Sequence, residues 1–164
     1  MEPRIVQCTE LEDKFIKITD ARRVGVMLRE GYLTLREHSA ITSLQIVPIT
    51  QGSFKLKVPA IGGDRNFIAV EGNLWFKANA NASTAATFTA KQTELGYELY
   101  HQNERPAIHD KQFDVTIGPW SPTGRHRSQV PMLLWPEADL AQIWHPGNPW
   151  ATGNPPGISN KSLG

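Results

Sequence analysis

The sequence predicts a mainly β protein: an antiparallel sandwich or barrel with one or two short helices and an extended Pro/Gly-rich C-terminal arm. Three observations predict it. Residues 4–117 read mostly at a period of two, clusters of Gly, Asn and Asp punctuate that stretch, and the composition changes abruptly at Pro119. The boundaries drawn from this are a β-rich domain over residues 1–144 and an arm over residues 145–164. At 164 residues, with 40% hydrophobic and 20% charged side chains, the chain can bury one apolar core without cross-links.

The strands follow in order. Residues 5–8 and 15–18 are short β-prone runs separated by the acidic residues Glu10, Glu12 and Asp13. Residues 33–35 and 44–46 alternate. In Phe54-Lys55-Leu56-Lys57-Val58 the three apolar side chains share one face and the two lysines the other. Gln51-Gly52-Ser53 makes a hairpin of residues 44–49 and 54–58, and Pro48, lacking an N–H, pushes its strand toward an edge or a bulge. Gly62-Gly63-Asp64 is a turn. Residues 67–70 and 74–76 form a second hairpin about Glu71-Gly72-Asn73. Residues 87–89, 97–100 and 113–117 supply further strands, while residues 77–90, rich in Ala, Asn and Thr, read as an exposed loop leading into a strand.

Two segments carry helix signals. Asp20 suits an N-cap for a helix ending at Glu30 with Gly31 just beyond, although Gly25 and the valines make a strand over residues 24–28 a close competitor. Residues 136–144 place Pro136 first, Glu137 and Asp139 in the first turn, and Leu140, Ile143 and Trp144 at helical spacing, with Pro146-Gly147 as the stop.

From Pro119 onward lie eight of the twelve prolines and four of the five tryptophans. Proline density removes backbone donors and fixes φ, so the last twenty residues read as an extended arm rather than helix or central strand. Gly-Asn-Pro occurs at residues 147–149 and again at 153–155. A tryptophan left in solvent forfeits a large burial term. The expectation is therefore that Trp144, Pro146, Pro149, Trp150, Pro155, Pro156 and Ile158 bind a partner surface.

Composition narrows the function classes. The net charge is +1, from 17 basic and 16 acidic residues, so the basic excess that phosphate binding demands is missing and no nucleic-acid partner is expected. Arg125-His126-Arg127, near Trp120 and Trp135, is the densest basic cluster and reads as a solvated loop or a contact with an acidic surface. Cys8 is the single cysteine, which excludes an internal disulfide and a multi-cysteine zinc site and fits a reducing compartment. The N-terminus does not read as a secretory leader, and no apolar run approaches membrane-spanning length. The expected location is a virion or the cytoplasm, with no membrane partner.

Chemistry-bearing motifs are sparse. Of the five histidines (His38, His101, His109, His126 and His145), His101 with Glu104 and His109 with Asp110 are the tight histidine–carboxylate neighbours, and the Arg105-Pro106 turn between them would bring the two rings together. Cys8 sits in an apolar run where a buried thiol is ordinary. No serine elbow, phosphate-cradling glycine loop or carboxylate pair is present, and no cofactor is expected. Leu133-Leu134-Trp135-Pro136-Glu137-Ala138 is similar to a segment near the end of the lambda-type phage head-decoration proteins, over six residues of the chain.

The leading expectation is a non-enzymatic assembly protein, and a virion component in particular: a capsid decoration, cement or tail-associated subunit. It would form homo-oligomers or sit on a major structural protein through its arm. The alternative is a barrel or sandwich module binding a small molecule or protein with Trp75, Phe76 and Tyr97 about a pocket. A hydrolase using His101, His109 or Cys8 ranks third.

Overall fold

Alternation becomes strand almost wherever the sequence shows it. The structure, a computed structural model, describes residues 3–11, 15–37, 40–72, 74–111, 114–122 and 128–136. It runs β1 (Arg4–Ile5), a single 3-10 turn (Cys8–Leu11), β2 (Phe15–Asp20), β3 (Gly25–Arg29), β4 (Tyr32–Arg36), β5 (Leu44–Pro48), β6 (Ser53–Lys57) and β7 (Phe67–Glu71). It continues with β8 (Trp75–Ala80), β9 (Phe88–Thr93), β10 (Gly96–Tyr100), β11 (Ala107–Lys111), β12 (Asp114–Gly118), β13 (Ser128–Gln129) and β14 (Met132–Pro136). Every pairing is antiparallel, and nine strands close a barrel with the others outside it.

The circuit follows from the pairings. From β9 it passes through β10, β14, β2, β3, β4, β8, β7 and β6, and β6 returns to β9 through Ser53↔Thr89 and Phe54↔Phe88. β5 bridges β2 and β6. Outside lie β1 on β9, and the ribbon β12–β11–β13 attached to β4 through Val115↔Leu35 and Thr116↔Thr34. β1 and β13 are two residues each, which leaves little free edge for unwanted pairing.

The core lies inside the circuit. Ile16 and Ile18, Leu44 and Ile46, and Phe54 and Leu56 point inward at every second residue. Phe88 joins them, its ring 5.2 Å from Phe76 and 6.4 Å from Phe54. These side chains form one continuous apolar cluster, as expected of a small barrel whose interior is filled by residues rather than solvent.

Four expectations change. The helix over residues 20–30 is instead the β2–β3 connection and strand β3. Asp20 accepts backbone N–H bonds from Arg22 and Val24 (2.8 and 2.9 Å), so its carboxylate organises a turn, using the same chemistry that caps a helix. Gly31 (φ 88°) and Glu30 (φ 56°) supply the two positive-φ positions of a tight hairpin between β3 and β4, closed by the Arg29↔Tyr32 pair. The same left-handed preference marks a helix end.

The stretch 77–90 is not one loop. Ala78 and Ala80 are buried in β8 and Ala90 in β9, leaving only residues 81–87 as a connection, held where Asn81 Oδ1 accepts from the N–H groups of Ser83 and Thr84. Cys8 begins a 3-10 turn rather than ending a strand. β5 is no edge strand: β6 covers its length and β2 covers Leu44 and Gln45, so Pro48 lies past the β2 pairing, where its missing N–H is tolerated. The hairpins of residues 44–58 and 67–76 stand as read. The expected helix over residues 136–144 lies, apart from Pro136 at the end of β14, outside the described residues, as does the arm.

Candidate functional site

A turn and the segment that crosses it enclose a surface pocket. β5 ends at Pro48, and the chain reverses through residues 49–52 into β6. Thr50 shapes this reversal: its hydroxyl accepts from the Ser53 N–H at 3.0 Å and pairs with the Ser53 hydroxyl at 2.7 Å, while the Ile49 N–H donates to Ser53 O at 2.8 Å. Across it run residues 7–9, tied down by the Cys8 N–H donating to Gln51 O at 2.6 Å. A pocket of about 680 Å³ opens between the two, lined by residues 7–9 and 48–51.

The segment that crosses the turn is clamped by charge on either side of residues 7–9. Arg4 makes a two-pronged contact with Glu10 (2.8 and 2.9 Å) and reaches Gln92 on β9 at 2.6 Å, while Glu10 accepts the Gln7 N–H at 2.8 Å. The Arg4 guanidinium, then the Gln7 N–H, hold the Glu10 carboxyl down to about 2. The segment from β1 to the 3-10 turn is thereby fixed against β9 and the β5–β6 turn.

Cys8 is buried, and its thiol points at the carbonyl oxygens of Thr50 (3.6 Å) and Ser53 (3.7 Å). A carbonyl is an acceptor, so in these contacts the thiol is the donor.

The two histidines sit in different surroundings. His101 is buried with its ring 5.4 Å from Phe76 and 5.6 Å from Phe88, and burial pushes its imidazole below the ordinary range. Its partner Glu104 meets it only through the backbone: the two residues exchange N–H···O bonds of 2.9 and 3.0 Å around Gln102 and Asn103, both at positive φ. The Glu104 carboxylate instead accepts from Gln129 at 3.0 Å. His109, buried on β11, places Nε2 3.2 Å from the carbonyl of Pro119, which requires Nε2 to carry the proton. Among the described residues no three His, Cys, Asp or Glu side chains are grouped to hold a metal ion.

The aromatic trio of the binding-module alternative is dispersed. Phe76 is core, Trp75 packs edge-on against Tyr32 (5.8 Å), and Tyr97 rests on the core cluster from β10. None of them lines the pocket described above. Glu98, fully buried on β10, is matched by Arg105 (2.8 and 3.1 Å) and Thr93, an arrangement that secures the strand. Trp144, Pro146, Pro149, Trp150, Pro155, Pro156 and Ile158, and the Arg125-His126-Arg127 cluster, lie outside the described residues.

Sequence reading missed the pocket and its rim. Ile49 is 48% exposed and Ile5 40% exposed, and a methyl group on Gly52 would lie 3.0 Å from Ile5 Cγ2, so the two isoleucines flank one turn. The available signal was an isoleucine placed between Pro48 and Thr50, where a polar turn residue is the norm. No protein-family model matches the chain, and no curated protein matches it. No helix among the described residues is long and apolar enough to cross a membrane.

Proposed function

We propose that the chain is a non-enzymatic structural subunit of an assembly, docking on neighbouring subunits through residues 145–164, with a virion as the assembly: a capsid decoration, cement or tail-associated subunit. The observation that carries this reading is the arm itself, where four prolines follow Trp144 and enclose Trp150. Such a backbone cannot satisfy itself by helix or sheet, and its indole gains most by burial against another surface. Three further features support it. The barrel interior is filled by its own side chains, the buried histidines are engaged in packing and backbone contacts, and the Cys8 thiol faces carbonyl acceptors.

Light scattering on the full chain, and on a chain lacking residues 145–164, tests the reading. Oligomers for the first and monomers for the second are expected. A full chain that is strictly monomeric, with a truncation that changes neither association nor stability, overturns it. A second reading, a module binding a small molecule, is favoured by the pocket at the β5–β6 turn, whose volume is in the range of ligand sites.

A further inference from the structure

We propose that His101 is an acid-sensitive latch: on taking a proton its ring leaves the barrel and lets the turn of residues 101–106 open, while the barrel itself stays closed. The register places the latch. Leu99 on β10 is buried in the core cluster, and His101 falls on the same face two residues later, one step past the Tyr100↔Thr89 pair. An apolar side chain would suit that position. Instead an imidazole fills it, 8% exposed, against Phe76 of β8 and Phe88 of β9. Among the described residues no side chain or backbone group hydrogen-bonds to the ring. The charged groups around it are engaged elsewhere. The Glu104 carboxylate accepts from Gln129 at 3.0 Å, and Arg105 reaches Glu98 at 2.8 and 3.1 Å. The lysines of the two strands packed on the ring are turned away: Lys77 lies over Tyr32 (4.7 Å) and Lys91 over Tyr100 (4.5 Å). An imidazolium between Phe76 and Phe88 would thus lack both hydration and a counter-ion.

The segment that carries the ring is built to yield before the barrel does. Residues 102–104 are exposed, and Gln102 and Asn103 both hold positive φ (51° and 65°), a conformation that a glutamine rarely adopts. Beyond the ring itself, the turn is fastened by the Arg105–Glu98 pair, by Gln129, and by the Val130 N–H donating to Pro106 O at 2.9 Å. β10, by contrast, is held to β9 along its whole length and to β14 through Tyr97 and Glu98. The Arg105–Glu98 pair is the counterweight. Glu98 is fully buried, so opening leaves it with Thr93 alone, which keeps the turn shut while His101 is neutral. The sign of the effect follows from the two states. Closed, the ring binds its proton more weakly than the ordinary 6.5, because it is buried; open, it regains that value. Opening therefore takes up a proton and is favoured about tenfold for each pH unit below about 6.5, until the closed ring is protonated as well.

Amide hydrogen exchange of the full chain, followed by NMR as protection factors from about pH 7.5 to about pH 4.5, tests this. The Glu104 N–H, bonded to His101 O, and the Val130 N–H, bonded to Pro106 O, report on the closed turn. Their protection is expected to fall about tenfold per pH unit below about 6.5, in step with the titration of the His101 ring signals, while the amides of β2 and β14 keep theirs. His101→Phe, which keeps an aromatic ring and removes the titration, should hold the Glu104 and Val130 protection level across the range. Protection at those two amides that stays level through the His101 titration, or that falls together with β2 and β14, overturns the proposal, and the unaltered chain alone decides both. The same loss in a folded His101→Phe overturns the assignment of the latch to His101.

Discussion

Phe88→Ala strikes the barrel where it closes. β6 and β9 are joined by two residue pairs, Ser53↔Thr89 and Phe54↔Phe88, and the ring of Phe88 stands at that seam in contact with Phe54, Phe76 and His101. The ring is 1% exposed, so its removal leaves a cavity lined by side chains held on three different strands or turns, which cannot collapse together. Truncations of this kind cost about 3–5 kcal/mol. For a chain of this length, each kcal/mol moves the thermal midpoint by about 2–4 °C, so a fall of about 6–20 °C is expected. Phe88→Leu, which keeps most of the volume, should cost under about 1.5 kcal/mol. The assay is urea and thermal unfolding followed by far-UV circular dichroism. An independent readout is the His101 imidazole, whose pKa is lowered by burial and should move up toward its ordinary value once the cavity admits water. A Phe88→Ala loss below about 1 kcal/mol, with His101 unchanged, would refute the assignment of Phe88 to a closed interior.

Two further outcomes follow from the same contacts. His101 must be neutral to stay between Phe76 and Phe88, and its folded pKa lies below the ordinary 6.5, so the unfolded chain binds its proton first. Stability should be level above that pH and decline as pH falls below it, and His101→Leu should remove this limb, leaving the lower one in which Glu10 is protonated between about 4.5 and about 2. Urea midpoints across that range check it. Gly118→Ala should cost about 2–3 kcal/mol, because the added methyl would lie 1.7 Å from Leu74 O, whereas Gly62→Ala, which meets nothing within 4 Å, should stay within about 0.5 kcal/mol.

The sequence carried the strands well and the closure hardly at all. Phe54-Lys55-Leu56-Lys57-Val58 and the 67–76 hairpin were readable because one face is buried and the other wet, which writes a period of two into the residues. The pairing of β6 with β9 was not, since it joins Ser53 to Thr89 and Phe54 to Phe88 with no local turn to announce it. Asp20 and Gly31 misled for a physical reason: a carboxylate that accepts backbone N–H groups and a residue at positive φ serve helix ends and hairpins alike. β11 was overlooked because its buried His109 and Ala107 imitate loop chemistry in a window that begins with Arg105-Pro106. The candidate site was the least legible feature, because its pocket is assembled from two segments separated by some forty residues and shows only in the oddity of Ile49 within a turn.

Fluorine NMR of the fluorotryptophan-labelled full chain, with the Trp150 signal assigned by its loss in Trp150→Phe, measures the central claim most directly. The account predicts a broad resonance that is shifted from the free amino acid and insensitive to exchanging H2O for D2O at concentrations where the chain associates. A narrow, solvent-sensitive Trp150 resonance in fully associated protein would contradict it.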